Sequence, residues 1–389
     1  MPNKKFVIKK ATRDRCKILK VGETNLEFFK QANMESVGLL TDAGKLPFYL
    51  YFKAEGEIVE FIKPNENSDV YIEQLLEAAT KDIEGIAILI LAKEYPLFIG
   101  YLKQIRQKKI DKLLKEDPSL DRKTLALFNN LSGASQMIVR GGVTPEVSGS
   151  VAAAAHQLVD GLMENTSAVG TLSKMVYCDP TLYDHSAAVA MIASVIAGKL
   201  LKKPFNKKAI SSVAQCGLYH DVGKTCVPSH VLNKPGSFTP EEFEIMKTHT
   251  TLGYEEILKA KKDGSIIDDI VARVALEHHE RFTGKGYPYQ KKGRYEDDKE
   301  NGIHIFTRIV TIADVYSALL MKRVYKPAYE SGKAIKIMSE IAKDDFDPEI
   351  FWPFLKHVIE SLNYHTKKKD GDKGKIIILD DKGKLKLSS

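Results

Sequence analysis

The chemistry of this chain is predicted to lie in its C-terminal half, where histidines and aspartates gather. None of the ten histidines occurs before His156, and two adjacent pairs follow, His220-Asp221 and His278-His279. A single His-Asp pair is usually a surface or hydrogen-bonded pair, and a single His-His pair is also a weak signal. Here both pairs fall in one region with further histidines and an aspartate, which favours a shared metal site. The seven candidate metal ligands are His185, His220, Asp221, His249, His278, His279 and Asp314.

The adjacent pairs favour two metal ions over one. Neighbouring side chains on a helix point about 100° apart, so both members of a pair reach a single ion only from an angle. They serve two ions more easily, with the Asp221 carboxylate bridging them. Mixed imidazole and carboxylate ligands suit iron, manganese, zinc or nickel, whereas magnesium and calcium prefer oxygen ligands.

Two such ions would support hydrolysis of a phosphate ester. Metal ions about 3.5–4 Å apart generate a bridging hydroxide at neutral pH and hold both oxygens of an in-line displacement at phosphorus. This chemistry needs no protein nucleophile, but it does need a cation for the phosphate, and Lys224 follows His220 by one helical turn. We therefore predict that Lys224 and Asp221 are catalytic residues of a metal-dependent phosphohydrolase.

Helices are predicted to position these ligands. From residue 179 to about 365 the apolar residues recur almost throughout with the helical period. Asp179-Pro180 and the capping box at residues 239–242 mark two helix starts. One more helix is expected from Pro353 to about Tyr364.

The N-terminal part is predicted to be a mixed α/β domain. FVIKK, RCKILKVG and IAILIL are strand candidates, and VYIEQLLEAATKDI has the pattern of an amphipathic helix. FYLYFKAEGEIVEFIK predicts a hairpin that turns at Ala54-Glu55-Gly56. This part contains no histidine, which indicates a regulatory or packing domain without a catalytic cluster.

The predicted fold is therefore an all-α helical bundle preceded by a small mixed α/β domain. The lone His156 is interpreted as a packing or surface residue. The predicted domains are an α/β N-terminal regulatory domain at 1–112, a helical linker at 113–150 with a break near Gly141-Gly142, a helical phosphohydrolase domain at 151–365, and a linker with a C-terminal hairpin at 366–389.

Composition narrows the function classes. The net charge is +7, but much of the excess lies in lysine runs such as Lys367-Lys368-Lys369, which are usually solvated. A nucleic-acid-binding protein would more often show basic residues interleaved with aromatics on one surface, so DNA is not an expected partner. No apolar run approaches the roughly 18 residues of a membrane span, and no signal-peptide pattern follows the basic start. Four scattered cysteines predict free thiols and a cytoplasmic location.

Three stretches resemble a known family. LYHDVGKTCVPSHVLNKPGSFTPEEFEIMKTH resembles the core of the HD superfamily of metal phosphohydrolases. HHERFTGKGYP resembles the second signature of its HD-GYP subgroup, and RIVTIADVYSALLMKRVYK resembles the third conserved segment. The resemblance covers about residues 176–365, and the N-terminal part more loosely resembles a regulatory domain that precedes some HD-GYP domains.

The resemblance implies an all-helical domain that hydrolyses cyclic di-GMP to pGpG, GMP or both. It assigns His185, His220 and Asp314 to one metal, His249, His278 and His279 to the other, and Asp221 to both. It also implies that Lys224 contacts the scissile phosphate, that Tyr287 in the Gly-Tyr-Pro loop lies beside the substrate, and that Arg323 and Lys326 hold a phosphate or guanine. Iron is the metal expected for both ions, and manganese is the alternative.

Three departures from the family pattern bear on function. Thr181 stands where some members carry a glutamate for a third metal, so two metals are expected. The segment YQKKGRYEDDKENGIHI after Pro288 is longer and more charged than usual, and Ser317 replaces an acid. We expect these changes to alter the pocket and its substrate-side contacts.

Two functions are carried forward, and hydrolysis of another phosphate ester is a third possibility, because HD domains also act on other nucleotides. The first is a cyclic di-GMP phosphodiesterase that uses a two-metal-bridged hydroxide on the 3′-5′ phosphodiester. The alternative is a catalytically weak or inactive receptor or docking module for cyclic di-GMP or for diguanylate cyclases. A homodimer is compatible with both.

Overall fold

The computed structural model describes two compact units. The described residues are 18–19, 28–32, 37–41, 43–54, 57–69, 71–72, 87–118, 120–162, 168–178, 184–232, 234, 237–320, 331–369, 376–379 and 385–388. The N-terminal unit comprises Met1–Lys112, with Asn233–Ser237 grouped with it, and the C-terminal unit comprises Leu113–Leu232 and Phe238–Ser389. The regulatory role expected for the N-terminal unit stays a prediction.

The N-terminal unit contains a five-stranded antiparallel sheet. Its strands are β1 (Ile18–Leu19), β2 (Phe29–Ala32), β3 (Leu50–Ala54), β4 (Glu57–Ile62) and β5 (Ala87–Leu91), in the spatial order β1-β4-β3-β5-β2. The predicted hairpin is confirmed, because β3 and β4 pair from Leu50↔Ile62 to Ala54↔Glu57. The strand predicted from IAILIL is confirmed as β5. The segment FVIKK and most of the expected helix VYIEQLLEAATKDI lie outside the described residues.

Side chains on both faces of this sheet are buried, since the consecutive residues Leu50, Tyr51 and Phe52 of β3 are all buried. Tyr51, Ile58 and Leu89 form an apolar cluster on three neighbouring strands, with Phe29 packed against it. The first long helix, α1 (Tyr95–Glu116), follows β5 directly.

The C-terminal unit is almost entirely helical. Its further helices are α2 (Arg122–Gly141), α3 (Pro145–Leu162), α4 (Ala168–Cys178), α5 (His185–Val195), α6 (Lys207–Tyr219), α7 (Ser229–Leu232), α8 (Pro240–Lys247), α9 (His249–Lys262), α10 (Asp269–Glu277), α11 (Ile305–Leu320), α12 (Ser331–Asp345) and α13 (Pro348–Lys369). A π-helical turn (Ile196–Leu200) extends α5, and a 3-10 turn (Val222–Cys226) follows α6. Strands β6 (Ile376–Leu379) and β7 (Leu385–Ser388) form the predicted C-terminal hairpin.

Local signals set several helix boundaries. The break between α2 and α3 falls where it was predicted, at Gly142, whose φ of 69° suits glycine. The capping box before α8 is confirmed. The Thr239 side chain accepts from the Glu242 backbone N–H, and the Glu242 side chain accepts from the Thr239 backbone N–H. The expected start at Asp179-Pro180 lies outside the described residues.

Two expectations about the helical region are wrong in part. The last helix begins at Pro348, where the Asp347 carboxylate accepts from the Glu349 N–H, and it runs through Pro353 to Lys369. It therefore continues into residues expected to be a linker. The second difference is the stretch 281–304, which contains no helix and is called the lip segment below. Among the described residues, no helix has the length and apolar character that a membrane crossing requires.

Candidate metal centre

Helix ends bring the predicted ligands together. His185 and His249 are the first residues of α5 and α9, whereas His220 directly follows the last residue of α6. His278-His279 directly follow α10, and Asp314 lies within α11. Because five helices contribute from their ends or from one inward face, the side chains converge although they are far apart in sequence.

Glycines allow this convergence. A Cβ atom at Gly217 would lie 2.6 Å from the Ala190 Cα, so α6 and α5 approach closely only because that atom is missing. A Cβ atom at Gly223 would lie 2.0 Å from the His249 carbonyl oxygen, so the 3-10 turn rests directly on α9. Glycine at these two positions therefore sets the distance between Asp221 and the histidines around it.

Asp221 lies between two groups of histidines. Its Oδ2 atom is 3.4 Å from Nε2 of His220 and 3.8 Å from Nε2 of His185. Its Oδ1 atom is 3.5 Å from Nε2 of His249 and 3.7 Å from Nε2 of His278. Each carboxylate oxygen therefore faces a different pair of imidazoles, which is the arrangement that a bridging carboxylate needs.

The two groups are completed by Asp314 and His279. Asp314 Oδ1 lies 3.1 Å from His185 Nε2 and 3.9 Å from His220 Nε2. Two sets of side chains place their ligand atoms close enough to share an ion, one formed by His185, His220 and Asp221 and the other by Asp221, His249, His278 and His279. All seven sequence-predicted ligands thus meet in one place.

Three imidazoles are oriented by their own chain segments. The Nδ1 atoms of His220, His249 and His278 lie 2.8, 2.6 and 2.9 Å from the carbonyl oxygens three residues earlier. In the neutral imidazole, the ring nitrogen that faces the carbonyl carries the proton, so the Nε2 atom presents a lone pair on the side of Asp221. Such hydrogen bonds fix the orientation of metal-binding histidines.

Ser317 orients the fourth imidazole. Its hydroxyl lies 2.8 Å from His185 Nδ1, and Ser317 is fully buried. The replacement of an acid by serine was expected to alter a substrate-side contact. In the structure this residue instead lies behind a ligand, because His185 separates it from the cluster.

The pKa shifts favour the neutral form of three histidines and the ionised form of Asp221 at neutral pH, whereas at His220 the Asp221 and Asp314 carboxylates outweigh burial and raise the pKa. Burial lowers the pKa of His249 to about 4 and also holds the pKa of His278 and His279 below the usual value. Burial would raise the pKa of Asp221, but the Lys224 ammonium and the His220 imidazole outweigh it and keep that pKa well below its usual range. Neutral imidazoles and ionised carboxylates are the forms that bind metal ions.

Unpaired buried atoms show that these residues fit metal ions. Among the residues that the structure describes, the buried atoms His220 Nε2 and Asp221 Oδ1 have no hydrogen-bond partner. The Nε2 atoms of His249 and His278 lie 3.3 Å apart, so two lone pairs face each other. Buried polar atoms in such positions are costly unless a cation satisfies them. The donor set of imidazoles and carboxylates suits iron, manganese or zinc, and the choice of iron stays a prediction.

Lys224 and Tyr287 each contact one member of the cluster. Lys224 Nζ donates to Asp221 Oδ2, and about a third of the lysine side chain remains exposed. The Tyr287 ring stacks on His279 with centroids 4.7 Å apart, and Phe243 contacts the Tyr287 ring edge-on at 6.4 Å. The other two predicted substrate-binding residues, Arg323 and Lys326, lie outside the described residues.

The lip segment is fixed to the centre by Glu280. This residue follows the His278-His279 pair, is buried, and accepts hydrogen bonds from the backbone N–H groups of Tyr289 (2.7 Å) and Lys291 (2.9 Å). Gly286 lies against the same stretch, since a Cβ atom there would be 2.5 Å from the His279 carbonyl oxygen. The loop that carries Tyr287 is therefore held directly against the ligand pair.

A second anchor holds the far part of the lip segment. Asp347 is buried before α13 and accepts hydrogen bonds from Arg294, in the lip segment, and from Arg308, in α11. Arg308 is buried too and also pairs with Glu296. A buried carboxylate with two arginine partners ties the lip segment to two helices.

Known proteins share this helical unit. Residues 171–350 match the HD domain family. A cyclic di-GMP phosphodiesterase of Thermotoga maritima is 32% identical over 213 residues, which are 55% of this chain and 54% of that protein. Residues 171–350 of this chain are therefore similar to HD domains, and the helical unit resembles part of known cyclic di-GMP phosphodiesterases.

Other relatives extend the comparison of the helical unit. A cyclic di-GMP phosphodiesterase of Vibrio cholerae is 41% identical over 138 residues, which are 35% of this chain and 27% of that protein. The chain thus spans about half the length, or less, of these curated relatives. The solved structure of a HDG"Y"P protein from Bdellovibrio bacteriovorus aligns with a TM-score of 0.53 at 18% identity, over 86% of this chain and 99% of that one, and it supports the fold.

Several parts of this site were not identified from the sequence. Glu280 was overlooked, although a charged residue directly after a ligand pair is a usable signal. The roles of Ser317, Gly223 and Asp347 depend on contacts with residues at least 26 positions away. No local pattern reveals such contacts.

Proposed function

We propose that this helical unit is a metal-dependent phosphodiesterase of the HD-GYP type that hydrolyses a 3′-5′ phosphodiester of a cyclic dinucleotide, with cyclic di-GMP as the first candidate. The observation that supports the proposal is the position of the Asp221 carboxylate, whose two oxygens face two separate groups of histidines. The names of the relatives from Thermotoga maritima and Vibrio cholerae support the choice of substrate.

The seven clustered side chains would hold two divalent ions. His185, His220 and Asp314 form one set, His249, His278 and His279 form the other, and Asp221 contributes to both. When bound, such ions supply Lewis acidity toward the phosphate and a nucleophilic water at neutral pH.

The protein's own groups bind and orient the phosphate. The Lys224 ammonium lies beside Asp221 and is partly exposed, so it can pair with a phosphate oxygen and neutralise the charge that develops there. Burial and the nearby Asp221 carboxylate raise the pKa of Tyr287, which therefore keeps its hydroxyl proton as a donor at neutral pH. Its ring shields one side of His279 from water. Contacts from Arg323 and Lys326, and the product pGpG or GMP, stay predictions.

The direct test is hydrolysis by protein loaded with iron or manganese. We expect cyclic di-GMP to be converted to pGpG, GMP or both, and the double variant His220→Ala with Asp221→Ala to lose this activity together with its metal. His156→Ala is the matched control, because His156 is exposed and its Nδ1 atom contacts only the Ala152 carbonyl oxygen among the hydrogen bonds found. Protein that holds two metals per chain and forms no product over hours would overturn the proposal.

A second candidate is a receptor or docking module for cyclic di-GMP or for a diguanylate cyclase. It is supported by the lip segment, whose stretch from Tyr295 to Asn301 is rich in charged and exposed residues. Tight binding of cyclic di-GMP without turnover would favour a receptor. Turnover would favour the enzyme.

A further inference from the structure

Helix α8 contributes no side chain to the core. None of the residues from Pro240 to Lys247 is buried, although the helix is well capped at its start. Its Phe243 side chain is 45% exposed. Several side chains of α8, Phe243 among them, are therefore accessible to a ligand.

One face of α8 borders the metal centre. Phe243 and Lys247 are four residues apart, so they share a helix face. Phe243 contacts the Tyr287 ring, and the Tyr287 ring stacks on His279. Phe243 is thus two ring contacts from a candidate metal ligand, on the outer side of Tyr287.

Lys247 adds a cation to this aromatic pair. Its Nζ atom lies 5.3 Å from the centroid of Phe243 and 5.8 Å from that of Tyr287. Glu244 pairs with the ammonium at 2.6 Å, but the Glu244 side chain is 69% exposed, and exposed pairs of this kind are weak. A ligand can therefore compete for the Lys247 ammonium at little cost.

We infer that Phe243, Tyr287 and Lys247 form a recognition platform for one guanine base of the substrate. This inference rests on the proposed function, because the metal centre would hold the phosphate while the platform holds a base attached to it. A purine stacks on the exposed surface of Phe243, as bases do on aromatic side chains in single-strand binding proteins. Lys247 donates to the base edge.

The charge of Lys247 selects the base. Guanine presents two acceptors, O6 and N7, on one edge, and a lysine ammonium can donate to both. Adenine presents an amino group in place of O6, and this donor opposes an ammonium. The platform therefore prefers guanine to adenine, whereas Phe243 contributes equally to both.

The platform is tested by equilibrium binding of 5′-GMP and 5′-AMP to the metal-loaded full chain. These probes are not consumed, so binding is measured apart from turnover. We expect 5′-GMP to bind roughly 10-fold more tightly than 5′-AMP. Phe243→Ala should raise the Kd of both nucleotides about 10-fold. Phe243→Trp keeps an aromatic ring and should bind both nucleotides as tightly as the wild type does. Lys247→Met should raise the Kd of 5′-GMP alone and remove the preference.

Two controls come from the same helix. Ile245 is also apolar and exposed, so Ile245→Ala removes a comparable side chain outside the platform and should leave both Kd values unchanged. Glu244→Gln removes the partner of Lys247 and should not weaken 5′-GMP binding. A Phe243→Ala protein that binds like Ile245→Ala, or a Lys247→Met protein that keeps the preference, would overturn the platform.

Turnover of cyclic di-GMP by the same preparations separates the two proposals. Turnover by the wild type with no effect of Phe243→Ala on nucleotide binding overturns the platform alone. Binding effects as expected, without turnover by the wild type, overturn the phosphodiesterase alone.

Discussion

Replacing Gly223 with alanine probes how closely the Asp221 turn and α9 must approach. The new Cβ atom would lie 2.0 Å from the His249 carbonyl oxygen and 2.4 Å from the Gly253 amide nitrogen. Both of these atoms belong to the backbone, so no side-chain rotation relieves the contact. Since Cβ contacts under 3.0 Å are essentially never found, the two segments must separate by about 1 Å.

The expected cost follows from this displacement. Forcing an extra carbon into a packed interior costs about 1–3 kcal/mol, and more where only backbone can move. We therefore expect the free energy of unfolding of the metal-free protein to fall by roughly 3 kcal/mol. The same displacement moves His249 Nε2 away from Asp221 Oδ1, now 3.5 Å distant, so the ion on that side should be lost first.

Urea unfolding of metal-free protein and metal analysis by mass spectrometry measure these two effects. Gly253→Ala is the matched control across the same contact. Its Cβ atom would lie 3.2 Å from the Gly223 amide nitrogen and 3.4 Å from Val222, a tight but tolerable fit. Alanine within α9 also gains up to about 1 kcal/mol in helix propensity, so the control should be close to wild type. If Gly223→Ala matches the control in unfolding free energy and binds two metals, the close approach does not determine the site.

Three further predictions concern Ser317, Glu280 and His304. Ser317→Ala should weaken the ion held by His185 about 10- to 100-fold in a chelator competition assay; an unchanged affinity would show that the serine does not orient this ring. Glu280→Gln should lower the free energy of unfolding in urea by about 1–3 kcal/mol, because one of two N–H groups loses its acceptor. The substitution should also accelerate hydrogen exchange at the Tyr289 amide. Unaltered exchange there would count against this anchor. Burial, together with the nearby Arg273 charge, lowers the pKa of His304 to about 4. Below pH 6.5, the ordinary pKa of histidine, His304 is therefore protonated in the unfolded chain while it stays neutral in the folded chain. Stability from this group is present above pH 6.5 and is lost toward pH 4, on the order of 1–2 kcal/mol after allowing for partial exposure; a His304→Asn protein whose unfolding free energy follows the same pH dependence as wild type would refute this source.

The sequence was most informative where a feature depends on neighbouring residues. The Thr239 capping box, the break at Gly142 and the β3–β4 hairpin are each encoded within a few positions, and all three are present. The seven candidate ligands could also be chosen from residue type, because two adjacent ligand pairs in one helical region are rare without a metal. Their assignment to two ions stays a prediction.

Features that depend on distant residues were not predicted. The lip segment has no helical period, and its position depends on Asp347, which is 53 residues from Arg294. Ser317 contacts His185 across 132 residues, so its role as a ring partner could not be inferred from the motif that contains it. The start of the last helix was misplaced although its signal is local, because Asp347-Pro348 provides a cap followed by proline five residues before Pro353.

The hydrogen bonds from His220, His249 and His278 to carbonyls three residues earlier have a consequence for folding. Each bond closes within a single turn of chain, so an imidazole can be oriented as soon as that turn forms and before any two helices dock. The conformational entropy of these rings is then lost when the helix ends form, and not when the metal ions bind. Docking of the helices has only to bring together groups that already point the right way, and the affinity for the ions should depend on helix position more than on side-chain rearrangement.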